Sequence, residues 1–118
     1  MNVRLLREVA ADIMAHPENF DMGVVTYGTV SCIAGRAALL VGKPSYMVTT
    51  GAEALRLRGK VTDDGRGLNQ LMRLCYVQNW PARFRNRYNA AKFNGDITKR
   101  AKVAVARIEH FIKTKGRE

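Results

Sequence analysis

Leu5, Leu6, Val9 and Ile13 recur at helical spacing in the first sixteen residues, with polar side chains between them. One apolar stripe at that period predicts an amphipathic helix over about 2–16. Pro17 ends it, because the residue before a proline is pushed out of the helical region. After a loop over 17–23, Val24-Val25-Thr26-Tyr27 reads as a short extended piece. Gly28-Thr29 then opens a second helix, with Thr29 as N-cap, running to Val41 and closed by Gly42. Ile33, Ala34, Ala37, Ala38, Leu39, Leu40 and Val41 make that helix apolar almost all round, which predicts burial.

Residues 43–48 read as loop or short strand. Thr49 or Thr50 can cap a helix through Arg58, stopped by Gly59, and Thr62 can cap another reaching about Tyr76, with Asp63 and Asp64 suiting its dipole. Asn79-Trp80-Pro81 breaks the chain, and Pro81 suits the first position of a short helix to about Tyr88. Asn94-Gly95-Asp96 is a turn. Beyond it, Ile97, Ala101, Ala104, Val105, Ile108, Phe111 and Ile112 mark the best helix in the chain. The expected fold is mostly α: a single compact helical domain over 1–118. Its central apolar helix covers about 29–41, and a long C-terminal amphipathic helix, about 97–115, packs against it or beside it.

Length allows one such core and no second domain, at 118 residues and 13.2 kDa. No apolar run approaches the roughly 20 residues a bilayer requires, and the N-terminus becomes charged too early for a signal peptide. Cys32 and Cys75 make no disulfide framework. A soluble, cytoplasmic chain without a membrane partner is expected.

Charge changes the picture more than composition does. Residues 1–53 hold four basic side chains against five acidic ones, whereas residues 54–118 hold sixteen against five. A near-neutral half is therefore joined to a strongly basic half, and clustered cations repel one another unless a polyanion offsets them. Solubility alone is the plainer reading of the same excess.

Two groups of residues are candidates for chemistry. Thr29, Ser31, Cys32 and Arg36 surround the expected N-terminus of the second helix, where orphan N–H groups favour an anion such as a nucleotide phosphate. The same place could activate Cys32 as a nucleophile. Against that, a free cysteine usually packs as a small hydrophobe, and the bases on offer are His16, without an orienting carboxylate, and a solvated His110. Arg36 has Asp21 or Glu18 as ordinary partners. No spacing fits a metal or a dinucleotide cofactor. No enzymatic activity and no cofactor are expected.

The second group is Tyr76, Trp80, Phe84 and Tyr88, interleaved with Arg83, Arg85 and Arg87 and followed by Lys92. Rings at every fourth residue suit a core, while arginines between them suit phosphate. Arg83, Arg85, Arg87, Lys92, Lys99, Arg100 and Lys102 are the expected contacts to DNA or RNA, with Trp80 or Tyr88 available to stack on a base.

His16-Pro17-Glu18, Phe20-Asp21-Met22, Gly28-Thr29 with Cys32-Ile33-Ala34-Gly35, Trp80-Pro81 and the run Arg107 to Ile112 together resemble a group of small, functionally uncharacterised proteins of bacteria and their phages. The likeness spans most of the chain and contains no catalytic motif. Such relatives often carry Cys at the position of Tyr27 and Trp at that of Arg36, so a required cysteine pair is not implied here. The resemblance implies phage or mobile-element biology. Two further readings stay open: a protein–protein adaptor docking on an acidic host protein, and a nucleotide-binding anti-defence factor.

Overall fold

The first stripe folds as its spacing requires. In a computed structural model that describes residues 1–61 and 69–118, helix α1 (Val3–Ala15) buries Leu5, Leu6, Val9, Ala10 and Ile13. The Asn2 side chain caps it, accepting from the Leu5 N–H at 3.1 Å. A single 3-10 turn, Pro17–Asn19, follows.

The next segment departs from expectation. Strand β1 (Thr26–Tyr27) pairs antiparallel with β2 (Val30–Ser31), Thr26 opposite Ser31 and Tyr27 opposite Val30. Gly28 and Thr29 form the two-residue loop between them, and Gly28 takes φ +61°, which favours glycine at that place in a hairpin. The hairpin removes Thr29 from the N-cap. Cys32 caps instead, its Sγ accepting from the Gly35 N–H at 3.4 Å, and α2 spans Ile33–Leu40. Burial all round holds for Ile33, Ala34, Gly35, Ala37 and Ala38, but Leu40 and Val41 are exposed.

Helix α3 (Val48–Ala54) starts before the expected Thr49 or Thr50 cap and stops well short of Arg58. Its close contact with α2 depends on Gly51, where an added Cβ would lie 1.8 Å from the Ala34 carbonyl oxygen. The expected Thr62 cap lies outside the described residues. Helix α4 (Gln70–Cys75) is capped by Asn69, and a 3-10 turn, Val77–Asn79, leads to Trp80. Helix α5 (Ala82–Phe93) outruns the expected end at Tyr88, because Ala91 prolongs the Phe84–Tyr88 stripe, and Pro81 is its N-cap. Helix α6 (Ile97–Lys113) is capped by Asp96, whose side chain accepts from the Lys99 N–H at 3.0 Å.

The fold is mostly α, with six helices among the described residues. Helix α6 packs on α5 and α1, while α2 packs on α3 and α1. The long helix therefore lies beside α1 instead of on the central apolar helix. Two neighbours shift its buried arc to Ala101, Val103, Ala104, Arg107, Ile108 and Phe111. Ile97 is exposed, and Val105 and Ile112 fall at the margin. None of the described helices is long and apolar enough to cross a membrane.

Candidate nucleic-acid interface

Helix α5 carries four cations and no acid. Its buried side is Phe84, Tyr88 and Ala91, so the helical period sorts the cations onto two flanks. Arg83 and Arg87, four apart, are exposed on one flank, with the Arg83 guanidinium 4.8 Å from the Phe84 ring centre. Arg85 and Lys92, seven apart, share the other. Arg85 is half-buried and donates to the Gln78 carbonyl at 3.4 Å. Lys99 and Lys102, three apart on α6, are both exposed.

Two of the expected contacts serve the fold. Arg100 donates through Nη2 to the Phe20 carbonyl at 2.5 Å and lies 3.8 Å from Asp21 through Nη1. With 14% of its side chain exposed, Arg100 is a clamp on the 20–21 backbone and leaves the outward set. Lys92 donates to Asp21 Oδ1 at 3.2 Å but remains half in solvent. Burial pushes the Asp21 carboxyl up, yet the Gly23 N–H and the Lys92 ammonium outweigh it and hold the group below its ordinary value.

Of the aromatic series, Trp80, Phe84 and Tyr88 are core, and Tyr76 is half-buried against it. Trp80 is 1% exposed and donates from Nε1 to the Leu74 carbonyl at 2.8 Å. Tyr88, also 1% exposed, accepts from the Met22 N–H at 2.9 Å, and burial pushes its phenol up to about 12. Trp80 and Tyr88 meet edge to face, with ring centres 5.4 Å apart. Neither can reach a base. Phe93, at the end of α5, is 91% exposed and is the ring that solvent sees among these cations.

The Thr29–Arg36 group does not assemble as an anion site. Thr29 is exposed in the hairpin loop, and Ser31 is wholly buried. The Arg36 guanidinium pairs through Nε with Asp12 at 3.0 Å, neither of the carboxylates expected, and donates through Nη2 to the Asn19 and Thr29 carbonyls at 2.6 and 2.9 Å. Cys32 is buried, and burial pushes its thiol up, opposite to what a nucleophile requires. Cys75 is buried as well, with its thiol pushed further up for the same reason. His110, expected in solvent, is half-buried, with Nδ1 2.5 Å from Glu118 Oε2 and its ring 5.3 Å from that of Phe84.

Arg107 was hidden among the other basic residues of its half. It is fully buried, its guanidinium ion-paired with Glu118, donating to the Arg73 carbonyl at 3.0 Å, and 5.4–5.9 Å from the ring centres of Trp80, Phe84 and Phe111. Spacing carried a signal: position 107 lies three after Ala104 and four before Phe111, on the buried stripe.

No family model, curated protein or solved structure matches this chain.

Proposed function

We propose that this chain is a non-enzymatic binding protein of phage or mobile-element biology whose basic half holds the phosphates of DNA or RNA. One observation carries the reading. Across residues 65–108 the sole carboxylate is Asp96, and its side chain is engaged in capping α6. Arg83, Arg87, Lys99 and Lys102 are exposed within that stretch, with Arg85 and Lys92 partly so. The exposed cations outnumber the carboxylates beside them, of which Asp21 engages Lys92, so net positive charge is left that a polyanion offsets by displacing bound counterions. Phosphate contacts of this kind position a strand without reading its sequence, and the exposed Phe93 ring adds stacking that every base can use. Single strands, whose bases are free to stack, are therefore the favoured form.

The test is binding of single- and double-stranded oligonucleotides to the full chain and to Phe93→Ala. Loss of about tenfold for single strands, with duplex affinity little changed, fits a stacking contribution of roughly 1–3 kcal/mol. No binding of either form at low salt overturns the reading.

A protein adaptor role has one observation of its own. Thr26 donates to the Ser45 carbonyl at 2.8 Å, tying the hairpin to the 45–47 loop, and Tyr27, Tyr46 and Met47 around that tie are 76%, 83% and 64% exposed. Exposed aromatics and methionine are the residue types enriched at protein interfaces.

A further inference from the structure

Four helices end in the same hydrogen-bond pattern, in which the two residues after the cap donate back to the last turn. In α2, Gly42 and Lys43 bond to Leu39 and Ala38; in α5, Gly95 and Asp96 bond to Lys92 and Ala91. Glycine occupies the left-handed position in both, at φ +74° and +67°. Helices α3 and α6 make identical bonds, Arg56 and Leu57 to Glu53 and Ala52, and Lys115 and Gly116 to Ile112 and Phe111. Here the left-handed residue is a cation, Arg56 at φ +54° and Lys115 at φ +55°. A side chain at that position is strained where glycine is not. The helix dipole favours a cation there, but a lysine before the cap would satisfy the dipole without the strain.

Lys115 lines a groove of about 580 Å³ together with Arg58, Gln70, Arg73 and Arg117, and among the described residues no acidic side chain lines it. Its walls are braced by hydrogen bonds. Gln70 accepts from the Arg58 N–H at 2.9 Å and donates to the Lys115 carbonyl at 3.3 Å, while Arg73 donates to the Gly116 carbonyl at 2.9 Å. The neighbouring carboxylate, Glu118, is turned inward to Arg107 and His110 and does not offset the groove. Among the described residues, none of the four cations is paired with a carboxylate. The volume is that of a small-molecule site.

We infer that this groove binds a phosphate monoester or pyrophosphate group, held by Arg58, Arg73, Lys115 and Arg117. Four cations lining one groove match a multiply charged phosphate better than one backbone diester, and the planar forks of three arginines suit its oxygens. The group can come from a free nucleotide or from the phosphorylated end of a strand. The inference stands apart from the α5 surface, since none of Arg83, Arg85 or Arg87 lines the groove.

The test is calorimetric titration of the full chain with pyrophosphate, adenosine 5′-monophosphate, and a single-stranded oligonucleotide with and without a 5′-phosphate. Pyrophosphate should bind, and Lys115→Gly should weaken it about fivefold to tenfold, the loss of one charge-assisted contact. The same substitution should leave the melting temperature unchanged or higher, because glycine relieves the backbone. Nucleotide binding with indifference to the strand end identifies the free nucleotide as the source. Preference for the 5′-phosphorylated strand identifies the end. Arg83, Arg85 and Arg87 changed together to alanine should retain pyrophosphate binding. Failure to bind pyrophosphate, equal affinity in Lys115→Gly, or loss of binding in the triple variant overturns the assignment.

Discussion

Arg107, without exposed surface, forms an ion pair with Glu118, a residue beyond the end of α6. The pair ties the segment after that helix into the three-ring cluster of Trp80, Phe84 and Phe111. Burial lowers the affinity of Arg107 for its proton, and Glu118 opposes that by hydrogen bond and charge. The carboxylate also meets His110 Nδ1, so one side chain engages two partners.

Removing one partner of a buried pair strands the other. Glu118→Gln should cost about 3–5 kcal/mol in denaturant unfolding. Replacing both residues with apolar ones, Arg107→Met with Glu118→Leu, should recover most of that loss. A single-variant cost below 1 kcal/mol would show that the pair is not what holds the segment.

Gly51 makes a sharper steric prediction. Its missing side chain is what lets α3 meet the Ala34 carbonyl of α2, so Gly51→Ala should destabilise the fold by about 3 kcal/mol. Calorimetric melting reads the effect. Gly28→Ala provides the contrast, since no atom of the described residues lies within 4 Å of a Cβ there and the penalty arises from φ.

Periodicity found the helices and misplaced two kinds of detail. The stripes Leu5–Ile13 and Ala101–Phe111 were legible because repeated burial at one face leaves a period in the sequence. Thr29 misled because a cap side chain looks the same in a hairpin loop, and the pairing of Thr26 with Ser31 that decides the matter is a relation between segments. Arg36 was matched to Asp21 or Glu18, and Arg100 read as an available cation, for the same kind of reason. Their partners, Asp12 for Arg36 and the Phe20 carbonyl for Arg100, come from α1 and from the chain after Asn19, which no local pattern reveals. The exposed positions Arg83, Arg87, Lys99 and Lys102 were legible because they follow from the helical phase of buried neighbours.

Both thiols should be inert in the folded state. Burial pushes Cys32 and Cys75 above the ordinary thiol value of 9.0, and Tyr88 to about 12 from 10.0. Above about pH 9 the unfolded chain releases these protons while the folded chain retains them, so stability is full below pH 9 and declines as pH rises. Urea unfolding at pH 8 and pH 10 should show this fall, and Cys75→Ala should reduce it. Thiol labelling at pH 7.5 should proceed no faster than global opening. Rapid, selective labelling of native Cys32 would contradict the account and revive a nucleophilic role.

The role of the outward cations of α5 and α6 is read from the salt dependence of oligonucleotide binding. Fluorescence anisotropy across a series of salt concentrations gives a log–log slope that counts the phosphates engaged, at about 0.7 per phosphate for single strands and about 0.9 for duplex. Micromolar or tighter binding at low salt is expected, with a slope corresponding to about four to six phosphates. With Arg83, Arg85 and Arg87 changed to alanine, the single-strand slope should become shallower by about 2. An unchanged slope in the triple variant, or no binding at low salt, would contradict it.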